Sequence, residues 1–469
     1  MRTALAALFR LVFSRRVQRF RGIPGPAPLF PLGNAWDFLG RPPWKFKPPW
    51  LTCAEYGSRY GGLTLIWIAG RPYVVLNDGA LVREVLETNA RQYYKADPIP
   101  ALSPLTIPPD LFLVNDGEWQ RLRTQHPYAK VDPRAWLADQ LPILRGLVRE
   151  RARTLAKASA TRPIDLLPAL QRLTFDVFAR SLWGEVLDDQ TYRDFCTMGD
   201  VGSRRMTSPL AFLPPLRPRF YAARRRWTRT FAARLDEARR RPDPTQRDLL
   251  HVSLPHSQAL SDDTYRVLLA TMFYGGVYSV TSGIVTVLDQ LSRYPDIAAE
   301  VRNELHSLVS RDPDFDLTAL EGCRHLDAVI RESLRLLPPV PMFLRNVRRE
   351  QAASLGGYSL PPNTPILITT WALHRSAEHW EAADEFRPAR WERGAAEANP
   401  FGSDYFFPFG RGPRTCIGQS MALFSMKLML AALLSEVTVQ VSGDYRQSFY
   451  FGVMLPRGLR AVMRPLETA

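Results

Sequence analysis

Cys416 is the residue whose surroundings promise chemistry. It lies in the run Phe407-Pro408-Phe409-Gly410-Arg411-Gly412-Pro413-Arg414-Thr415-Cys416-Ile417-Gly418, a glycine- and proline-rich turn that leads into an apolar stretch from Gln419 to Leu434. Glycines at 410, 412 and 418 let backbone pass close to a flat ligand where a Cβ would collide. A helix starting there turns its unpaired N–H groups and positive dipole end towards the sulfur, which favours thiolate. A thiolate held in this way is a good axial ligand for haem iron. Arg414, two residues earlier, suits a haem carboxylate. The other cysteines, Cys53, Cys196 and Cys323, have spacings that fit neither a disulfide framework nor a zinc site. This usage suits a reduced, cytoplasmic setting.

Phe409, Gly412, Arg414, Cys416 and Gly418 fit the pattern F-x-x-G-x-R-x-C-x-G, and on them the chain resembles the cytochrome P450 family at its haem-binding loop. Further residues fit that family in order. Glu332-Ser-Leu-Arg335 resembles its E-x-x-R, whose acid and base share a helix face at i and i+3. Phe386-Arg-Pro-Ala-Arg390-Trp391 is similar to the segment whose arginine completes a Glu–Arg–Arg network that fixes the cysteine loop. Trp119-Gln-Arg-Leu-Arg123 resembles the helix whose Trp and Arg reach a haem propionate, and Arg345 matches another propionate partner. His374-Arg375 and Trp380 also fit. The resemblance implies haem b as cofactor with Cys416 as its axial thiolate and iron ligand. It implies a mostly α fold with small β-sheets and a long central helix across the haem. The implied activity is oxidoreduction, a monooxygenase reaction of the kind found in secondary metabolism.

One motif departs from the pattern. The family's oxygen-activation motif, [AG]-G-x-[DE]-T-[TS], aligns with Gly275-Gly276-Val277-Tyr278-Ser279-Val280. The glycines fit, and Gly276 is expected to let the helix open beside the haem. Tyr278 stands where an acid is expected and Ser279 replaces threonine. A carboxylate titrates readily at neutral pH, whereas a phenol with an ordinary pKa of about 10 trades only hydrogen bonds. No carboxylate lies between Val267 and Leu288 to substitute. Three readings stay open. Ser279 with water, or a hydroxyl of the substrate, completes proton delivery and a monooxygenase results. Alternatively the enzyme performs isomerisation, coupling or peroxide-dependent oxidation. In the third, the protein binds haem without turnover. The Arg-Pro pair that the family's peroxide-using fatty-acid branch carries in this helix is absent.

The resemblance places Tyr274, Val277 and Tyr278, then Val340, Met342, Phe343 and Leu344, then Val453 and Met454 around a substrate pocket, together with the segment before Trp119. These side chains are apolar or aromatic and suit a hydrophobic, multi-ring substrate, terpenoid or polyketide in type. No electron donor is expected within the chain, so the oxygenase reading requires a separate ferredoxin or flavodoxin with its reductase. Arg411 is the expected docking cation.

The elements that must position these residues follow from pattern. Leu63-Thr-Leu-Ile-Trp-Ile and Tyr73-Val-Val-Leu flank Gly70-Arg-Pro as a strand hairpin. Residues from Gly79 to Leu337 read mostly as helix, Ser359 to Thr370 returns to strand, and the last 30 residues form another hairpin. Val267 to Leu288 carries no charge and is long enough to span a bilayer. Its glycines, hydroxyls and the capping start Ser261-Asp262-Asp263 favour a helix buried on all sides of a large domain. Residues 1–22 read as a basic amphipathic arm, and Ala4 to Phe13 is too short to span. The arm suits peripheral membrane contact through residues 1–21 and equally suits a frayed basic arm docked on the protein body. Residues 23–34 form a proline-rich hinge, and 35–469 a single haem-thiolate catalytic domain, monomeric.

Composition narrows the rest. Of 469 residues 46% are hydrophobic and 23% charged, which excludes a disordered chain. Sixty-one Lys and Arg against 46 Asp and Glu give +15, compatible with an acidic partner protein or an anionic surface. The arginine-dense run from Arg217 to Arg241 keeps Phe220, Tyr221, Trp227, Phe231 and Leu235 near helical spacing. It reads as a solvated helix face, not a nucleic-acid site.

Overall fold

The computed structural model describes residues 2–39, 47–95, 111–112, 114–207, 216–391, 401, 403–450 and 452–466. Its secondary structure is mostly helical with three small sheets, as the resemblance implies. The chain divides into two compact units. One comprises residues 1–97, 335–385 and 396–416, the other 98–334, 386–395 and 417–469.

The first unit is built on β-structure. Strands β1 (Leu63–Ile68) and β2 (Arg71–Leu76) pair antiparallel with Ile66 opposite Tyr73. Ala69 and Gly70 turn between them at φ of 47° and 75°, the left-handed pair that a two-residue hairpin requires. The sheet includes β3 (Tyr93–Tyr94), β5 (Phe343–Val347) and β8 (Pro365–Ile368), in the order β1-β2-β8-β5-β3. Side chains alternate between its faces: Leu63, Leu65, Trp67 and Val74 pack on one, Ile66, Val75 and Leu367 on the other. A two-stranded ribbon, β6 (Ala353–Leu355) with β7 (Tyr358–Leu360), completes the unit.

The amino-terminal arm belongs to this unit. Its helices Arg2–Val12 and Ser14–Gln18 dock through Phe9 and Phe20, whose rings meet Trp67 at 5.7 and 5.9 Å, with Phe13 and Val17 beside them. The proline-rich segment lies along β1, where the Leu65 N–H donates to the Pro24 carbonyl at 2.8 Å and the Trp67 N–H to Asn34 Oδ1 at 2.8 Å.

The second unit is helical, with one sheet in the order β4-β10-β9, formed by β4 (Ile164–Asp165) and the long hairpin β9 (Val437–Tyr450) and β10 (Val453–Pro465). Its central helix runs Asp262–Arg293, capped as expected by Ser261, whose Oγ accepts from the Thr264 N–H at 3.3 Å. Of its most apolar stretch 72% is buried within the protein, so its apolar surface is spent on protein neighbours. The Ser282 hydroxyl donates to the Met454 carbonyl at 2.5 Å and fixes the hairpin to it. The arginine-rich run is the helix Leu216–Arg240. Phe220, Trp227, Phe231 and Leu235 are buried, but Tyr221 is 45% exposed and does not join that core. The apolar run after the cysteine is the helix Gln419–Leu434, with Gly418 at its N-cap.

Candidate active site

The cysteine loop is folded by its own backbone. The Cys416 N–H donates to the Phe409 carbonyl at 2.9 Å, Gly410 N–H to Phe407 at 2.9 Å, and Thr415 N–H to Gly412 at 3.0 Å. Gly412 has φ of 71°, and a Cβ there would lie 2.0 Å from the Leu86 carbonyl oxygen. Its missing side chain therefore serves this backbone approach within the protein. Around Gly410, φ 73°, the space for a Cβ is open, so only its backbone angle calls for glycine.

All four cysteines are free thiols, but their settings differ. Burial pushes the thiols of Cys53 up to about 12 and of Cys196 and Cys323 up to about 11, so these stay protonated and inert. Cys416 alone among the four is exposed. In the same unit Arg345 and Arg414 lie close enough to repel. Burial first, and then Arg414, push the Arg345 guanidinium down to about 10. Its charge faces the Phe343 ring at 5.3 Å, and it donates to the Leu344 carbonyl at 2.9 Å. Cations that influence one another in this way favour an anionic ligand near them. An accessible sulfur ligand in the same unit as such a pair fits a metal macrocycle that carries carboxylates.

Below the loop, His374 is fully buried and its Nε2 accepts from the Phe407 N–H at 3.0 Å. That acceptor role requires Nε2 without a proton. Arg335, also fully buried, donates to the carbonyls of His374 at 2.9 Å, Ala383 at 2.6 Å and Glu385 at 3.0 Å, and stacks on Trp380 at 5.1 Å. A rigid line thus runs from Arg335 through His374 and Phe407 to the loop. In the second unit Glu332, fully buried, accepts from Arg390 Nε at 3.1 Å, from the Arg387 N–H at 2.9 Å and from Trp391 Nε1 at 2.9 Å. Besides Arg390, the acid thus takes an indole and a backbone N–H. Arg411, expected to dock a partner, is 11% exposed and paired to both Glu87, at 2.7 Å, and Asp404. It is a tie within the loop.

The second unit holds the central-helix residues. Ser279 is half-buried, and its hydroxyl donates back to the Gly275 carbonyl at 2.7 Å. Gly275 and Ser279 lie one turn apart on the helix's open stripe, and the Phe112 ring lies 3.5 Å from where a Gly275 Cβ would sit. Gly276 faces elsewhere: a Cβ there would lie 2.0 Å from the Phe178 ring, on the helix Leu166–Trp183. Its small size serves helix packing, and the helix continues unbroken through it. Tyr278 is 1% exposed and turned away from the open stripe. Its ring stacks on Phe195 at 4.9 Å and 14°, and its hydroxyl meets Tyr450 at 3.4 Å. Burial holds the phenol far above its ordinary pKa, so it stays neutral. Trp119 and Arg123 lie one turn apart, both half-buried, on the helix Asp116–Gln125.

The pocket residues divide. Tyr274 and Val277 are buried, Tyr274 against the helix Asp189–Thr207 with its hydroxyl on Met198 sulfur at 3.4 Å. Val453 and Met454 are buried at the start of β10. In the first unit Val340 is half-buried and its carbonyl accepts from Thr370 Oγ1 at 2.7 Å. Phe343 packs on one face of the sheet, Met342 and Leu344 on the other. Neighbours in a strand point to opposite sides, so Phe343 and Leu344 cannot share a wall. Of the segment before Trp119, residues 96–110 and 113 lie outside the described residues; Phe112 is the member that reaches Gly275.

Comparison with known proteins agrees with this arrangement. The sequence matches the cytochrome P450 family over residues 24–461. It is 24% identical to cytochrome P450 99A2 of Oryza sativa subsp. japonica over 97% of this chain and 86% of that protein. It is 24% identical to beta-amyrin 24-hydroxylase of Glycine max over 91% and 88%. A shorter match, 32% identical over 42% of this chain and 36% of the relative, is to 9-beta-pimara-7,15-diene oxidase of Oryza sativa subsp. japonica. A match that spans the cysteine loop, the E-x-x-R helix and the central helix alike leaves one conclusion: the chain belongs to the cytochrome P450 family, haem-thiolate monooxygenases that bind haem b through a cysteine thiolate.

Proposed function

We propose that this enzyme inserts one atom of dioxygen into an apolar, multi-ring small molecule, terpenoid in type, with Cys416 as the iron ligand. The observation that carries the assignment is the contrast among the cysteines: Cys53 and Cys323 are buried and Cys196 is half-buried, all three held as neutral thiols, and the exposed one lies in the loop whose unit also holds Arg345 and Arg414. When bound, haem supplies reductive activation of dioxygen and transfer of one oxygen atom to the substrate. The protein's part is positional. Arg345, Arg414, Arg123 and Trp119 would hold the propionates, and Phe409, Gly412 and Gly418 shape the loop around the sulfur. Glu332, Arg335 and Arg390 form the structural network that keeps it rigid. Ser279 is the group that would move protons, because its hydroxyl lies on the open stripe with oxygen lone pairs to spare. Tyr278 and Gly276 would act by holding that stretch of helix in place.

The substrate class rests on the apolar character of Tyr274, Val277, Val340, Phe343, Leu344, Val453 and Met454, and on relatives named for terpenoid oxidation. The buried Tyr278 also favours a second reading, isomerisation, coupling or peroxide-dependent oxidation, because a withdrawn neutral phenol delivers no protons. Turnover with a surrogate ferredoxin and its reductase under labelled dioxygen separates the two. One labelled oxygen in the product is expected; a converted, unlabelled product overturns the oxygenase reading.

Residues 35–469 act in this proposal as a single catalytic domain, supported by one family match that runs through both units. The enzyme would be a cytoplasmic monomer served by a separate ferredoxin or flavodoxin. Its arm, residues 1–22, would rest on a membrane surface. Leu8, Leu11 and Val12 are 40%, 74% and 54% exposed there, among arginines with no acid before Asp37.

A further inference from the structure

We infer that Asp200, Tyr450 and Tyr278 tie the Asp189–Thr207 helix and the β9–β10 hairpin to the central helix, and that the opening of this tie sets how fast apolar ligands reach and leave the site. The inference rests on the proposed pocket along the central helix. Tyr450 Oη donates to Asp200 Oδ1 at 2.8 Å and lies 3.4 Å from Tyr278 Oη. Because the Tyr450 proton is committed to the carboxylate, Tyr278 is the donor to Tyr450. The three residues come from parts of the chain 78 to 250 positions apart, so no local pattern brings them together.

The junction is shaped for these hydroxyls. A Cβ at Gly199 would lie 2.2 Å from Tyr278 Oη and 2.7 Å from Tyr450 Oη, so a methyl there would force them apart. Tyr278 and Tyr450 are buried, whereas Asp200 is exposed, and water competes for it. Beside the tie, rings and a thioether also join this helix to the central helix: Phe195 meets Tyr274 at 5.1 Å and Tyr278 at 4.9 Å, and Met198 meets Tyr274. Ser203 Oγ adds one long bond to the Phe449 carbonyl, at 3.4 Å. Phe195 and Met198 cover the ring of Tyr274, where a ligand would meet it. For Tyr274 to touch a ligand, this stretch of helix must lift, and the hydrogen bonds through Tyr450 must break first. The residue at the motif's acid position is thereby a positioning residue, coupled to the surface by one exposed carboxylate.

The test uses the full-length haem protein. Tyr450→Phe keeps the ring and removes its hydrogen bonds to Asp200, to Tyr278 and, at 3.4 Å, to the Cys196 carbonyl of the same helix; Asp200→Ala removes the outer one; Gly199→Ala wedges the hydroxyls apart. Amide hydrogen exchange over residues 195–204 is read first, since it needs no turnover, and is expected to rise in all three while the helix Gln419–Leu434 keeps its protection. Stopped-flow mixing with 4-phenylimidazole is read second. Association and dissociation rates should rise together about tenfold in Tyr450→Phe, the worth of one to two hydrogen bonds, with the dissociation constant nearly unmoved. Unchanged exchange and rates overturn the tie. So does a uniform rise in exchange across the unit, which means general destabilisation. If the wild-type protein gives no spectral shift with the probe, the haem reading fails, and the exchange experiment still decides the tie.

Discussion

Sulfur chemistry singles out Cys416, and two neighbours decide whether its loop keeps shape. Cys416→Ala should abolish the thiolate signature of the carbonyl complex, measured as loss of the red-shifted Soret band, while Cys323→Ala leaves it intact. His374→Ala should remove the acceptor of the Phe407 N–H and leave a buried donor unpaired, at about 1–3 kcal/mol. The expected readout is lower haem occupancy with the helix content preserved. A third residue governs acid stability. His126 is fully buried and neutral, its Nδ1 accepts from the Tyr128 N–H at 3.1 Å, and burial, then Arg123, lower its pKa to about 3. The unfolded chain takes up a proton near pH 6.5 that the folded chain refuses. Its contribution is therefore full above pH 6.5 and shrinks as pH falls towards 3, by about 1.4 kcal/mol per unit. Denaturant midpoints of wild type and His126→Gln measured from pH 7 to 4 should converge or cross as pH falls; a constant gap would refute this.

Legibility in the sequence varied with the kind of element, and the differences are physical. The β1–β2 hairpin, the Ser261 cap and the helix after the cysteine were readable because periodicity and capping are local. The loop was readable because five fixed positions in ten leave little room for chance. Trp391 on Glu332 was not, since an indole joining an acid–arginine pair leaves no spacing signal. Nor was Asp200 with Tyr450, 250 positions apart. The split of Phe343 from Leu344 follows from the two-residue period of a strand. Gly276 shows the limit of motif reasoning: the residue fits, but its neighbour is the Phe178 ring. Gly276→Ala should therefore destabilise the helix pair, read as a lower melting temperature with or without ligand. The arm carries a separate expectation. Replacing Leu11 and Val12 by Glu should abolish co-sedimentation with phosphatidylglycerol vesicles and leave the carbonyl spectrum unchanged, since Phe9 and Phe20 still dock on Trp67.

For the whole molecule the decisive quantity is a surplus of fifteen positive charges. Such a field raises the encounter rate with an acidic electron carrier and fades with salt, since at about 0.15 M the screening length is about 8 Å. The structure shows which arginine does not contribute. Arg411 is flanked by Glu87 and Asp404, and Asp404 also pairs with Arg83 at 3.3 Å. Within that group its charge is already matched. Reversal to Glu would gather three acids around a half-buried site beside the Gly412–Leu86 contact, so Arg411→Glu should lose haem or fail to fold. Arg411→Gln, which keeps length and hydrogen bonding, should take up haem. Its reduction by ferredoxin should then keep the wild-type dependence on ionic strength. If Arg411→Gln flattens that dependence while its spectrum stays normal, Arg411 is a docking cation after all, and its two acidic neighbours do not silence it. If the slope is unchanged, steering belongs to exposed arginines elsewhere. In the first unit Arg83 and Arg91 are exposed and are the next to substitute.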